Sequence, residues 1–316
     1  MRTPRHGHCL VVEVIVESAA ELRFDDGTPV SAASGVAPLG DGWLVVQDDA
    51  TLAAWCRGAS VTPVRLLPPV EGLDRFSSAA GTKHLKPDLE VACPAEVDGA
   101  PAVLALGSGS SARRMRGVLV RLGSRGPVAV AADLTPLYRR VADAAGVPLE
   151  QLNFEGASRH GDTVRWYQRG NLAAGVASTG VDLPLAALVD AVLGRGDTAV
   201  PVGPVRRYDL GEVAGVGLAV TDAVALPDGR SLLSAAAEDT PNAVDDGPVV
   251  ATALALVEGD RVVDVAPLPT PGGRVHKVEG LALREAAGDE VLLLAVVDDD
   301  DPAVPSAQLG LRVRLS

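Results

Sequence analysis

Five short stretches of this chain set an acidic or hydroxyl side chain just ahead of an apolar run, four of them beside a small residue. They are Ser34-Gly35, Asp88-Leu89-Glu90, Glu155-Gly156-Ala157, Asp222-Ala223 and Glu279-Gly280. After a turn and a second apolar run, each leads to more polar residues. These are Gln47-Asp48-Asp49, Gly107-Ser108-Gly109-Ser110, Gln168-Arg169 with Asn171, Glu238-Asp239, and Asp298–Asp301. Carboxylates gathered in one place bind a hard cation through oxygen or move protons as general acids and bases. Within a few ångströms of one another they repel unless neutralised. A divalent cation could do this, with Ca²⁺ preferred over Mg²⁺ because flexible oxygen coordination suits it. So could the nearby bases Lys83, Lys86, Arg113, Arg159, Arg169 and Lys277.

Gathering these residues requires a fold that repeats. Turns fall at Asp41-Gly42, Asp98-Gly99, Gly161-Asp162, Pro227-Asp228-Gly229 and Gly288-Asp289, about 57 to 68 residues apart. Glycine and aspartate tolerate the positive φ of tight hairpins, and antiparallel pairing returns each hairpin to its starting side. A unit of this length holds four strands, and its regular recurrence is the mark of a repeat architecture. The spacing predicts an all-β propeller, most simply of five four-stranded blades, with six as the alternative. The last unit offers only Leu309–Leu315 after its hairpin, one strand short; the alternating run 10–17 can fill that vacancy and hide both edges. Thr135–Ala145 and Leu183–Leu193 carry helical spacing and are expected as two inserted helices.

Innermost propeller strands run side by side around a central channel, so equivalent positions form a ring. Aligning the small residues puts Ser34, Glu90, Glu155, Asp222 and Glu279 at one mouth, four carboxylates and a hydroxyl. In this reading Glu155, Asp222, Glu279 and Asp298 hold the cation, which would polarise an ester oxygen and acidify a bound water. Lys86 and Arg113 would stabilise developing negative charge, and Glu90 or Glu238 would act as general base. Lys83, Ser108, Arg159, Gln168, Arg169, Asn171, Asp239 and Lys277 are the expected substrate contacts. Gly107–Ser111 could cradle a phosphate through its amides but lacks a P-loop lysine. His84, His160 and His276 lie near acidic ring positions and are candidate proton carriers.

Composition narrows the partners. Net charge is −13, which disfavours nucleic acid and anionic membrane surfaces. Aromatic residues are 3% of the 316, few for a stacking platform, while the hydrophobic 47% suffices for a large core. Cys9, Cys56 and Cys93 have no metal-type spacing and read as small buried hydrophobes. Leu10–Val16 is too short and too interrupted for a signal peptide, and no run approaches a membrane span. A single soluble, cytoplasmic domain of residues 1–316 is expected.

The segments KHLKPDLEVAC, LALGSGSS, NFEGAS with QRGN, TDAVALPDGRSLLSAAAEDT, and KVEGLAL with DDDDPAVPS resemble an uncharacterised bacterial β-propeller family. More distantly, the Ser-Gly and Glu-Gly strand starts resemble phytase-like esterase propellers. The second likeness implies a cation-assisted site acting on an anionic or ester substrate, although this chain shows no secretion signal and few strand aromatics. Two functions follow. One is a metal-dependent hydrolase of a small phosphate ester, lactone or other ester. The alternative is a non-catalytic propeller whose mouth binds a small ligand or a protein partner, with the metal structural. Propellers host both.

Overall fold

The computed structural model describes residues 12–171, 174–195, 199–239, 247–270, 273–298 and 304–316. They form five antiparallel sheets, four of which pair their strands in chain order. Blade 1 holds Ala33–Leu39, Gly42–Gln47, Leu52–Arg57 and Ser60–Arg65; blade 2 holds Leu89–Val97, Ala100–Gly107, Arg116–Gly123 and Gly126–Asp133. Blade 3 holds Phe154–His160, Thr163–Gln168, Ser178–Pro184 and Val205–Tyr208. Blade 4 holds Val216–Ala225, Ser231–Glu238, Val249–Glu258 and Arg261–Pro267, with the two-residue strand Glu212–Val213 added on its inner side. Blade 5 holds Lys277–Ala287, Glu290–Asp298 and Ala307–Leu315, and its fourth strand is the N-terminal Val12–Glu21. That strand pairs from Val12 opposite Leu315 to Glu21 opposite Ala307, so the ring is closed by the two ends of the chain. Five blades, the terminal closure and two helices are thus as the sequence predicts.

The repeat follows from local chemistry. At the blade 2 turn, Asp98 (φ 52°) and Gly99 (φ 77°) both occupy the left-handed region that a two-residue hairpin turn demands. Alternate residues of each strand feed hydrophobic wedges between neighbouring blades. The largest wedge, between blades 2 and 3, also receives both helices, α1 (Thr135–Ala145) and α2 (Leu185–Leu193). Neither described helix is long and apolar enough to cross a membrane. Tyr138 of α1 lies edge-on to Trp166, 4.8 Å between centroids, and donates its hydroxyl to the Gly107 carbonyl at 2.6 Å. The helix thereby pins the start of the Gly107–Ser111 loop, which carries two serines of the mouth.

Every innermost strand bears a β-bulge near the mouth. Register slips between Ala33 and Gly35, Leu89 and Val91, Phe154 and Gly156, Val220 and Asp222, and Val278 and Gly280. Bulges re-aim side chains, and the re-aimed residues are Ser34, Glu90, Glu155, Thr221 and Glu279. This corrects the expected ring: Thr221 occupies the blade 4 position, and Asp222 lies one residue beyond it. The ring therefore has three carboxylates and two hydroxyls. The hydroxyls bond across to the next blade, Ser34 to the Leu89 carbonyl at 2.5 Å and Thr221 to the Val278 carbonyl at 2.6 Å.

The glycines after the bulges have their own reason. A Cβ at Gly156 would lie 2.5 Å from the Asp222 Cα, and one at Gly280 would lie 2.8 Å from the Gly35 Cα. Here the innermost strands of adjacent blades touch, and only a residue without a side chain fits. Asp222 fills the remaining space, 1% exposed. Below the bulges the channel is packed; above them the polar residues of the mouth gather as a cup whose side chains are largely buried.

Candidate functional site

Two linked ion networks line this cup. On the blade 1 and 2 side, Lys86 Nζ lies 2.5 Å from Asp48 Oδ2 and 2.6 Å from Asp88 Oδ1. Asp88 Oδ2 accepts from Arg114 Nη1 at 2.8 Å and from the Ser108 hydroxyl, and Arg114 also reaches Ser110 Oγ at 2.8 Å. Asp88 sits at φ 56°, a left-handed backbone uncommon outside glycine, which swings its carboxylate inward. On the blade 3, 4 and 5 side, Arg169 bridges Glu155 at 2.9 Å and Glu238 at 2.6 Å. Lys277 bridges Glu279 at 2.9 Å and Glu238 at 3.4 Å. Asn153 Nδ2 donates to Glu155 Oε1 at 2.6 Å.

The carboxyls are not equivalent. Burial works against ionising Asp88, yet Lys86 and Arg114 together hold its pKa below the ordinary range. Glu238 is likewise buried, but Arg169, Lys277 and the Gly247 amide hold it down to about 2. Glu90 is pushed well up, by burial first and then by the charges of Asp88 and Asp48. Burial raises Glu155 to about 7, only partly countered by Arg169 and reinforced by Glu279. Glu155 is 7% exposed, and its Oε2 has no hydrogen-bond partner. Burial and Asp48 raise Asp49, on the rim, to about 6.

Among the described residues, Asp48, Asp88 and Glu90 form the one group whose carboxylate oxygens all lie within 4.8 Å of one another. This differs from the expected cation set. Asp222 cannot serve, because its oxygens accept the backbone N–H groups of Ala157 (3.2 Å) and Leu281 (2.7 Å) from the flanking blades. Burial nevertheless raises its pKa well above the usual range. Glu155 and Glu279 are engaged by Arg169 and Lys277. Asp298 ends its strand opposite Lys277 and accepts from Ser306 at 3.3 Å. Asp299, Asp300 and Asp301 lie outside the described residues.

Lys86, Glu90, Ser108, Glu155, Arg169, Glu238, Lys277 and Glu279 are brought together as the sequence predicts. Others are not. Arg113 is exposed, and its neighbour Arg114 enters the site, because the short turn Ala112–Arg114 presents the next residue inward. Arg159 sits four residues past Glu155, roughly 13 Å along the strand. It faces the opposite end of the ring, pairing with Glu96 at 3.7 Å. Gln168 is a brace: it accepts from the Asn153 amide and donates to the Gln151 and Arg169 carbonyls. Asn171 caps a local turn through Ala174, and Asp239 is exposed. Lys83 stands on the short turn Lys83–Leu85 that leads into Lys86. Of the histidines, His160 lies at the far end of its strand, bonded to Ser158 and Ser231, and His84 is exposed.

Sequence reasoning left Asp88, Arg114, Ser110 and Asn153 out of the site. Asp88 stood two residues before the chosen Glu90, and only its backbone conformation turns it inward. The sequence does carry a signal for Asn153, a polar residue two positions before Glu155 in NFEGAS.

No curated protein matches the chain at a significant level. Solved structures similar in shape include a luciferin-regenerating enzyme, 11% identical with TM-score 0.42, covering 91% of this chain and 79% of that one. A proposed glycoside hydrolase from Bacteroides ovatus is 10% identical with TM-score 0.43, covering 90% and 86%. The N-terminal domain of Nup159 is 9% identical with TM-score 0.33, covering 97% and 87%. These likenesses are too distant to bear on the chemistry, and the likeness to phytase-like esterase propellers gains no support from them. A family model, in contrast, matches residues 82–302, which include four of the five bulges and most of the cup. The chain belongs to the family of unknown function DUF6910.

Proposed function

We propose that the cup is a hydrolytic site for a small ester or lactone. The observation that carries this reading is Glu155, a buried carboxyl held at about 7 with one oxygen unengaged. A general base works best with a pKa near the working pH. Beside it, burial and then the charges of Asp88 and Asp48 push Glu90 well above the ordinary carboxyl range. A second raised carboxyl beside the base suits the part of the acid when it carries its proton. Ionised Glu155 would take the proton of an attacking water, and Glu90, in its protonated form, would give one to the leaving oxygen. Glu238, held at about 2, is too weak a base for this and instead orients Arg169 and Lys277.

Charge refines the substrate class. Lys86, Arg114, Arg169 and Lys277 each already face one or two carboxylates. The cup has no surplus of positive charge for a phosphate, so an uncharged ester or lactone fits better than a phosphate ester. Its all-oxygen donor set, Asp48, Asp88 and Glu90, suits a hard cation, Ca²⁺ ahead of Mg²⁺. When bound, such an ion would polarise the ester carbonyl, and Lys86, now against Asp48 and Asp88, would have to withdraw. The matched charges also favour a second reading, a small-ligand module without turnover.

A panel of chromogenic esters and lactones, assayed with purified protein in EDTA and in Ca²⁺, separates the two. Turnover of at least one uncharged ester, lost in Glu155→Gln, is expected. No turnover across the panel, or turnover of phosphate esters alone, would defeat the proposal.

A further inference from the structure

A second cavity lies on the same face as the cup, displaced outward between blades 1 and 2. Its volume is about 210 Å³. Leu67 and Met115, both buried, form its floor, and Ala131 and Ala132 form one wall. Two opposite charges complete the lining, Arg116 and Asp133.

These two residues stand directly opposite each other in register on adjacent antiparallel strands. At that spacing, with Cα atoms about 4.5–5.5 Å apart, an arginine and an aspartate ordinarily pair. Here they do not. Arg116 donates its Nε to the Arg113 carbonyl at 2.5 Å, and among the described residues its two terminal nitrogens have no hydrogen-bond partner. Asp133 accepts the Thr135 amide at Oδ1, 2.7 Å, as part of the turn into α1. Burial and then the neighbouring Arg113 disfavour the Arg116 charge, and Asp133 offsets only part of this, so a further anion would be favourable. The cavity therefore holds a cation and an anion side by side, each with unused hydrogen-bonding capacity, above an apolar floor.

We propose that this flank cavity binds a small zwitterion of the amino-acid type with an apolar side chain. Its carboxylate would meet the Arg116 guanidinium in the two-pronged arrangement that arginine favours. Its ammonium would meet Asp133 Oδ2, the oxygen that does not take the Thr135 amide. The side chain would rest on Leu67 and Met115. A molecule with only one of the two charges would leave the other protein charge unmatched in a half-enclosed site, and so would bind more weakly.

L-leucine is the probe, titrated calorimetrically into the full chain, alongside isocaproate, which lacks the amine, and isoamylamine, which lacks the carboxylate. Saturable leucine binding with a Kd in the millimolar range or tighter is expected, with each truncated analogue at least about tenfold weaker. Arg116→Met keeps the aliphatic stem, and Asp133→Asn keeps an acceptor for the Thr135 amide, so both should fold, as a thermal melt would verify. Each should weaken leucine about tenfold or more, the loss of one charge-assisted contact. Leucine binding that never saturates, or that neither substitution changes, would overturn the proposal. So would isocaproate binding as tightly as leucine.

Discussion

Asp222 offers the sharpest separation of a structural carboxylate from a functional one. Its oxygens accept N–H groups from blade 3 at Ala157 and blade 5 at Leu281, while its own backbone belongs to blade 4. One side chain thus ties three innermost strands where the channel is packed shut. Asp222→Ala leaves two donors without acceptors in a site where the residue is 1% exposed. At about 1–3 kcal/mol for each unmet buried group, the loss is about 2–6 kcal/mol. That is a large share of the 5–15 kcal/mol by which domains are typically stable. At about 2 °C per kcal/mol for a chain of this size, the melting temperature should drop by at least about 4 °C. Asp222→Asn keeps one carbonyl acceptor but points an NH₂ at the other donor, so about half of the loss should return. Thermal unfolding followed by circular dichroism, in EDTA and in Ca²⁺, reads this directly. The deficit should be the same in both buffers. An Asp222→Ala protein melting within about 1 °C of the parent would refute the tie, and a deficit seen only with Ca²⁺ would restore Asp222 as a ligand.

Deleting residues 1–21 removes the strand that closes blade 5, with buried Val12 and Val14; cooperative unfolding should be lost, and a truncated chain melting like the parent would contradict closure. A cation at the Asp48, Asp88 and Glu90 trio, binding only the native state, should add about 2.7 kcal/mol at 100-fold excess over its Kd. That gain should vanish in Glu90→Gln, whereas a melting temperature indifferent to EDTA and Ca²⁺ would leave Lys86 and Arg114 as the neutralisers. Arg169→Met strips the shared cation from Glu155 and Glu238 and should cost about 3–5 kcal/mol. Adding Glu238→Gln should recover part of it, and strictly additive effects in urea unfolding would argue against a coupled network.

The fold was legible because it repeats. Turn chemistry, strand length and the missing final strand each pointed to five blades closed by the N-terminus, and α1 was bounded by its own apolar spacing. The site was legible only in part. Glu90, Glu155 and Glu279 were correctly read as ring positions, since a bulge and a close-packed small residue leave a trace in the sequence. Blade 4 broke that reading because Thr221, not an acid, takes the bulge, and a slip of one residue turns a side chain to the other face. Which of Arg113 and Arg114 faces inward is decided by a single short turn. Asp88 reaches the cup through a left-handed backbone that nothing in its local sequence requires.

The proton-transfer role proposed for Glu155 is the centre of the functional account, and the pH dependence of kcat/KM for an ester substrate tests it most directly. The Glu155 value of about 7 lies above the ordinary 4.5, so the folded protein favours the protonated form. Its contribution to stability is full below pH 4.5 and is lost as pH rises through 7, while the ionised, basic form gains population over the same interval. Hydrolysis should therefore rise with pH to a plateau, with an apparent pKa near 7. Glu155→Gln should abolish that limb and lower kcat/KM by about 10²-fold or more, while gaining stability relative to the parent above pH 7. A parent enzyme whose rate ignores pH between 5 and 9, or a Glu155→Gln protein that keeps the limb, would contradict the account.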